Sequence, residues 1–168
     1  SGPRHDRVQR TSAPIELLSV SRLHSSKRVE WTLQALAAVK HCGSKYPEWR
    51  LHVVGTGPQN DYLRKMSNTL GLSESVIFHG FVSDEYLQEL YERSHVFLMP
   101  AKQGYGLPAI EALYLKMGVV VSEESGVVEL LENTNWVSIA RNGKAGYITA
   151  VKEMLLRVVQ PDFFETVL

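Results

Sequence analysis

The sequence predicts an α/β fold: a doubly wound, Rossmann-like parallel sheet with helices on both faces. Short apolar runs alternate with helix-like segments along the chain, and parallel neighbouring strands require crossover connections of that kind. The runs carry few charges, as expected of strands that are buried on both faces. Ligands of such sheets bind at the carboxyl ends of the strands, so the loops that follow strands are the candidate site loops.

The first half of the chain contains three of the predicted strands. The first is an apolar run in which Glu16 is the one charge, typical of a strand covered on both faces. A polar loop follows, and then apolar residues spaced closer to 3.6 than to 2 predict a helix that Gly43 ends. The predicted elements are strand 15–20, helix 29–42, strand 50–54, helix 61–70 and strand 75–79.

The second half continues the alternation. Ser83 can cap a helix in which Leu90 and Tyr91 share one face, because its side-chain oxygen can accept a hydrogen bond from the free amides of a first turn. After that helix, the predicted elements are strand 96–99, helix 108–116, strand 119–122, one or two helical turns over 126–132, strand 137–139 and helix 145–159.

Composition and charge exclude several classes of function. The 168 residues include 18 basic and 18 acidic side chains, so no net field would attract nucleic acid or an anionic membrane. The single Cys42 leaves no partner for a disulfide and too few thiolates for a structural zinc site, which favours a reducing, cytoplasmic setting. No run approaches the ~20 apolar residues of a membrane span, and the histidines show no metal-ligand spacing.

One domain is expected between two short ends. Residues 1–14 are polar, and we interpret them as a linker or cloning remnant. Because the chain opens on this segment without an initiator Met, we expect it to be a piece of a longer protein. Residues 15–160 form the predicted Rossmann-like domain, and residues 161–168 a C-terminal tail.

The loop after the first strand carries two cations, Arg22 and Lys27, beside a predicted helix start. Such a pair suits a diphosphate, because Arg binds phosphate with a planar fork, Lys with a point charge, and a helix start with unpaired amides. Solvated cations are common on any protein surface, so an ordinary surface role stays open for both side chains.

A second candidate loop, residues 104–107, leads into the helix that Pro108 begins. Its glycines let the backbone approach a ligand closely, and Pro at a first helical position leaves neighbouring amides free. Glu111 is expected in the first turn, where its carboxylate can accept two hydrogen bonds from a ribose diol. The alternative is a Glu that the helix dipole alone favours there.

Two further loops follow strands two and three. The glycine turn at 55–57 lacks the third glycine of a dinucleotide fingerprint, and we expect a structural turn there. Phe81 and Val82 follow strand three and can offer an apolar surface to a nucleobase, although packing in the core would explain Phe81 as well.

Taken in order, four of these segments resemble the C-terminal domain of family 4 glycosyltransferases, one half of the two-domain GT-B fold. The resemblance covers roughly residues 17–132, and its specificity lies in the order and spacing of the segments. The matching segments are Ser-Arg-Leu-His-Ser-Ser-Lys at 21–27, Val-Val-Gly-Thr-Gly-Pro at 53–58, Val-Ile-Phe-His-Gly-Phe-Val at 76–82 and Gly-Tyr-Gly-Leu-Pro-Ala-Ile-Glu-Ala at 104–112.

The resemblance implies a site for a nucleotide-diphosphate sugar of UDP, GDP or ADP type. Arg22 and Lys27 would hold the diphosphate, Glu111 would bind the ribose, and Phe81 and Val82 would lie along the base. The turn that would place backbone amides on phosphate or sugar consists of Gly104, Tyr105, Gly106 and Leu107. Retention of anomeric configuration is expected, with neither a metal nor another cofactor.

One position departs from the family. Its members carry a Glu eight residues before the ribose-binding Glu, and that position here is Gln103. In the family this carboxylate touches the transferred sugar, close to where positive charge develops in the transition state. Gln103 can hydrogen-bond the sugar but brings no negative charge. An active enzyme with a different donor and an inactive one both stay open.

The resemblance also implies an N-terminal GT-B domain of the same parent chain, which would supply acceptor contacts across a cleft. Transfer to a glycan, lipid or other acceptor is expected to need both halves, and any membrane association, at the cytoplasmic face, to act through the absent one. Two alternatives are a non-catalytic nucleotide-sugar-binding or assembly module and a GT-B nucleotide-sugar epimerase.

Overall fold

A six-stranded sheet lies at the centre of the part of the chain that the computed structural model describes, residues 13–102, 107–131 and 134–165. Its strands are β1 (Ile15–Val20), β2 (Trp49–Val54), β3 (Val76–Gly80), β4 (Val96–Met99), β5 (Gly118–Ser122) and β6 (Val137–Ala140). The α-helices of the same ranges are α1 (Val29–His41), α2 (Asn60–Thr69), α3 (Asp84–Arg93), α4 (Leu107–Tyr114) and α5 (Gly143–Val158). None of these helices is long and apolar enough to cross a membrane.

The strands are arranged in the order β3-β2-β1-β4-β5-β6, and each neighbouring pair is parallel. The chain winds from β1 outward to β2 and β3, and from β4 in the other direction to β5 and β6. The winding therefore reverses between β1 and β4. This order confirms the predicted doubly wound, Rossmann-like sheet, and the crevice at the carboxyl ends of β1 and β4 is the switch point where such sheets bind ligands.

Each face of the sheet has its own apolar core, because alternate residues of a strand point to opposite faces. Leu17 packs on the face covered by α1 and α5, where the buried hydroxyls of Thr32 and Tyr147 hydrogen-bond at 2.7 Å. Leu18 packs on the other face with Leu90 of α3. Close packing on both faces holds the sheet, and with it the start of every loop at its carboxyl edge, in a fixed place.

The observed ends of the elements follow local hydrogen bonding. β1 and β4 have the predicted bounds, and the other elements with predicted bounds differ by one or two residues at one or both ends. Ser83 caps α3 as predicted, since its side-chain oxygen accepts a hydrogen bond from the Tyr86 amide at 3.2 Å. α4 ends earlier than predicted because Lys116 takes a left-handed conformation, which lets the Met117 amide donate to the Ala112 carbonyl.

The apolar core extends past residue 160, where the domain was expected to end. Phe163 is fully buried and stacks on Trp136, with ring centroids 5.3 Å apart. Gly118 makes room for this ring, because a Cβ there would lie 3.2 Å from Phe163 and 2.8 Å from the Met154 sulfur. The 3-10 turn Phe163–Glu165 therefore packs as part of the folded domain.

Candidate functional site

The loops after β1 and β4 leave the sheet side by side. The two strands are paired in register, with Leu17 beside Val96 and Leu18 beside Phe97, and neighbouring strands lie about 4.8 Å apart. The loop that carries the predicted cations and the segment that leads to α4 therefore begin at the same edge of the sheet, at the switch point. A shared site for one anion requires this arrangement.

The loop after β1 is held in place by the loop after β2. The Ser21 amide donates to the Val54 carbonyl at 3.1 Å, and the Leu23 amide donates to the Thr56 carbonyl at 2.9 Å. Gly55 permits this contact, since a Cβ there would lie 1.8 Å from the Ser21 carbonyl oxygen. The structural role expected for the 55–57 turn is thereby confirmed.

This loop presents its two cations from a fixed backbone. Arg22 is exposed, whereas Lys27 is half-buried at the end of the 3-10 turn Ser25–Lys27. The His24 ring caps that turn by accepting a hydrogen bond from the Ser26 amide at 3.2 Å. Leu23 is buried and anchors the loop to the core. The loop thus offers charged side chains on an anchored support.

A cavity of about 330 Å³ at the carboxyl edge joins the loop after β1 to the loop after β3. Arg22, Phe81 and Val82 line it, together with Asp84 at the start of α3. The Phe81 ring is 87% exposed, so it does not pack in the core. An exposed aromatic ring beside an exposed guanidinium forms a surface on which a planar, anionic ligand can bind.

Glu111 lies one residue further along its helix than predicted. α4 begins at Leu107 and has no acidic residue in its first turn, so the expected first-turn position is wrong. Burial raises the pKa of Tyr91 on α3, and the negative charge of Glu111 raises it further. The exposed Glu111 carboxylate is therefore near the packed α3–α4 face.

The turn before α4 is described only at its flanks. The candidate residues Gln103, Gly104, Tyr105 and Gly106 lie outside the described residues, and Leu107 is described by its backbone. Lys102 marks one end of this stretch and the first turn of α4 the other. The roles expected for these residues stay predictions.

An ion pair beside the cation loop is not apparent from the sequence. Arg28, directly after Lys27, donates two hydrogen bonds to the Glu124 carboxylate, at 2.8 and 3.5 Å. This hydrogen bonding, together with the charges of Arg28 and Lys102, lowers the pKa of Glu124. Glu124 comes two residues after β5, so the rule that site loops follow strands could have found it. Nothing in the sequence pairs it with a residue 96 positions earlier.

A second polar cluster lies on the sheet face near α3, beside a cavity of about 350 Å³. The His52 ring hydrogen-bonds the Glu16 carboxylate at 2.6 Å and the His79 ring at 2.8 Å. Burial lowers the pKa of His79, and the charges of His52 and Arg93 lower it further. Across the three described ranges, no group of three metal-binding side chains is arranged to hold a metal ion. The direct contacts between its rings make the cluster a hydrogen-bonded part of the fold.

The sequence matches known glycosyltransferases. The family described as glycosyl transferases group 1 matches residues 4–156. An uncharacterized glycosyltransferase of Methanocaldococcus jannaschii is 30% identical over 125 residues, which are 72% of this chain and 31% of that protein. The chain spans about a third of the length of the curated relatives it matches.

Solved structures share the fold. The C-terminal domain of a glycosyl transferase group 1 family protein from Francisella tularensis gives a TM-score of 0.70 at 18% identity, over 97% of this chain and 90% of that one. The pneumococcal O-GlcNAc transferase GtfA, solved with UDP and GlcNAc, gives a TM-score of 0.68 at 19% identity, over 90% of this chain and 32% of that one. At these identities the likeness shows the fold, which is that of one half of a GT-B glycosyltransferase.

Proposed function

The chain belongs to the glycosyl transferases group 1 family, and on that premise we propose that it is the donor-binding, C-terminal half of a retaining family 4 glycosyltransferase. The parent enzyme transfers a sugar from a nucleotide-sugar donor to a glycan, lipid or other acceptor. The donor half alone binds the nucleotide sugar but does not complete the transfer, because the reaction needs donor and acceptor held together with water excluded.

The position of the cation loop at the switch point carries the proposal. Arg22 and Lys27 follow β1, and the segment that leads to α4 leaves from the neighbouring strand β4. A helix amino end directs unpaired amides and a positive dipole toward an anion. These local groups supply the positive charge that a diphosphate requires, in a chain whose formal net charge is zero.

Each part of the donor has a proposed partner. The diphosphate lies between the two cations and the amides of the turn 104–107, where charge and hydrogen bonds stabilise it as the leaving group. The base lies along Phe81 and Val82 in the cavity that these residues line. The exposed Glu111 carboxylate accepts hydrogen bonds from the ribose hydroxyls. In this proposal the side chains and amides neutralise the phosphates, and no metal ion is needed.

The partner and the setting of the chain are part of the same proposal. The acceptor site belongs to the N-terminal half of the parent, which closes over the carboxyl edge of the sheet. A single, exposed Cys42 supports a reducing, cytoplasmic location. UDP is the first nucleotide to test, because pneumococcal GtfA was solved with it.

Isothermal titration calorimetry of the chain with UDP, GDP and ADP tests the proposal. We expect one of the three to bind at a single site. Arg22→Ala or Lys27→Ala should weaken that binding about tenfold or more, since a hydrogen bond to a charged group contributes about 1.5–3 kcal/mol. Lys45→Ala is the matched control, because Lys45 lies in the turn before β2, at the opposite edge of the sheet. No heat with any nucleotide, or equal losses in all three variants, would contradict the proposal.

Gln103 favours a second candidate function, a nucleotide-sugar-binding module without catalysis. Gln in place of Glu brings no negative charge to the positive charge that develops on the sugar. An assay of the full-length parent beside its Gln103→Glu variant separates the two functions. Transfer by the unmodified parent supports the enzyme, whereas transfer by the variant alone supports the binding module.

A further inference from the structure

Arg28 has a backbone conformation that residues with a side chain rarely adopt. Its φ and ψ are 55° and 37°, in the left-handed region. The residue connects the turn that carries Lys27 to α1, because its amide donates to the Ser25 carbonyl at 3.1 Å and its carbonyl accepts from the Trp31 amide at 2.9 Å. Glycine would take this conformation without strain. The presence of arginine here therefore points to a role for its side chain.

Two partners hold the Arg28 guanidinium. It donates to both carboxylate oxygens of Glu124, at 2.8 and 3.5 Å, and it lies 4.1 Å from the centre of the Trp31 ring. Only 17% of the side chain is exposed, less than is usual for a surface arginine. A bidentate ion pair, combined with stacking on an aromatic ring, fixes the direction of the Arg28 side chain and also neutralises its charge.

The ion pair joins the loop after β1 to the loop after β5. β4 lies between these two strands in the sheet, so the loop that leaves β4 toward α4 starts between the two loops that the pair connects. The charge of Lys102, on that loop, contributes to the lowered pKa of Glu124. The pair therefore connects the loops on either side of residues 100–102, with which the loop after β4 begins.

We propose that Arg28 and Glu124 are positioning residues for the donor diphosphate, whose ion pair fixes the backbone that carries Lys27 relative to the loop after β5. This inference rests on the proposed function, since it concerns the same diphosphate. Neither side chain needs to touch the ligand. The pair acts by ordering the loop in advance, which lowers the entropy that binding would otherwise lose.

A positioning role and a purely electrostatic role for the ion pair make opposite predictions for Glu124. Loss of the positive charge of Arg28 weakens the attraction of the site for an anion, whereas loss of the negative charge of Glu124 strengthens it. If the pair positions the loop, either loss weakens binding: loss of Arg28 removes the contact, and a neutral amide in place of the Glu124 carboxylate keeps at most one hydrogen bond and no ion pair. The sign of the effect at Glu124 therefore separates the two roles.

The experiment compares Arg28→Gly, Glu124→Gln and the double variant by calorimetry with UDP, GDP, ADP and inorganic pyrophosphate, and by urea unfolding. We expect about a fivefold loss of affinity in each single variant, the upper end for an exposed ion pair, and no further loss in the double variant. Arg28→Gly should unfold at the same urea concentration as the unmodified chain or a higher one, because glycine removes the backbone strain.

Glu123→Gln is the matched control. The side chains of Glu123 and Glu124 are equally exposed, at 37%, but Glu123 pairs with Arg141, outside the cation loop. We expect this variant to bind as tightly as the unmodified chain or more tightly. If the unmodified chain binds none of the four probes, the proposed function fails and the inference fails with it. If it binds, and Glu124→Gln binds equally well or better, or Glu123→Gln loses as much, the inference alone is overturned.

Discussion

Three residues other than glycine have a positive φ in the part of the chain that the structure describes: Arg28, Lys116 and Asn142. Asn tolerates this conformation better than most residues, and Arg28 forms an ion pair from it. Lys116 is exposed and ends α4 with a φ of 62°. The helix end needs a left-handed residue at this position, and glycine is the usual choice.

We expect Lys116→Gly to raise the free energy of unfolding by about 0.5–1 kcal/mol. A left-handed backbone costs a residue with a Cβ at least about 1 kcal/mol, and the greater freedom of glycine in the unfolded chain offsets part of the gain. Urea unfolding measures the change. Lys116→Ala is the control, because alanine keeps the Cβ and the strain. An equal gain in both variants would assign the effect to the lysine side chain instead.

Phe81 and Tyr114 are equally exposed, at 87% each, and only Phe81 lies in the loop after β3. We expect Phe81→Ala to weaken nucleoside diphosphate binding by about 1–3 kcal/mol through lost stacking on the base. Pyrophosphate has no base, so its binding should not change. Tyr114→Ala should alter neither affinity in the same calorimetric titrations. Normal nucleotide binding by Phe81→Ala would exclude this loop as the base site.

At the scale of elements, the contact between the loops after β1 and β2 has no room for a side chain. A Cβ on Gly55 would lie 1.8 Å from the Ser21 carbonyl oxygen, and the φ of Gly55 is 132°. We expect Gly55→Ala to lower the free energy of unfolding by about 2–4 kcal/mol. It should also weaken nucleotide binding, because it displaces the loop that carries Arg22.

Gly43→Ala is the matched control for this substitution. Gly43 has a φ of 65° and nothing within 4 Å of an added Cβ, so only backbone strain of about 1–2 kcal/mol is expected. Nucleotide affinity should stay unchanged in this variant. Equal losses of stability in the two variants, measured by urea unfolding, would show that the close approach to Ser21 is unimportant.

The histidine cluster on the sheet face makes stability depend on pH. Folding lowers the pKa of His79 from 6.5, so below pH 6.5 the unfolded chain binds a proton that the folded chain resists. The contribution of His79 to the free energy of unfolding is therefore complete above pH 6.5. It is lost as the pH falls toward the lower pKa of the folded state. Burial alone would raise the pKa of Glu16, but His52 and neighbouring cations lower it from 4.5. The Glu16 contribution is thus lost only below pH 4.5.

We expect the free energy of unfolding in urea to fall as the pH is lowered below 6.5, and His79→Gln to reduce that slope. His41→Gln is the control, since His41 is an exposed histidine at the end of α1 and its loss should leave the slope intact. An unchanged slope in His79→Gln would assign the pH dependence to other groups.

The elements differ in how well the sequence alone predicts them. β1 and β4 are predictable to the residue, because strands covered on both faces are apolar runs with polar ends. The C-terminal end of α4 and the start of α5 are not, since they depend on left-handed backbone at Lys116 and Asn142. The edge that carries Arg22 follows from the rule for loops after strands. The Arg28–Glu124 pair does not, because two loops 96 residues apart meet only in the folded sheet.

At the scale of the whole molecule, the order of the strands brings the proposed binding loops to the same edge of the sheet. The cations follow β1, and the segment that leads to α4 follows β4, so the two are far apart in the sequence. The reversal of winding brings their strands together. The 18 basic and 18 acidic side chains leave no net field to attract an anion. The proposed affinity for a nucleotide sugar therefore depends on local groups at this edge.

The position of a bound nucleotide tests this convergence most directly. We expect a crystal structure of the chain with UDP, or with whichever of GDP and ADP binds, to place the diphosphate in contact with Arg22, Lys27 and the backbone amides that open α4. The ribose should lie against Glu111. A nucleotide bound in the cavity beside His52, or a diphosphate without contact from the loop after β1, would contradict the assignment of this edge as the donor site.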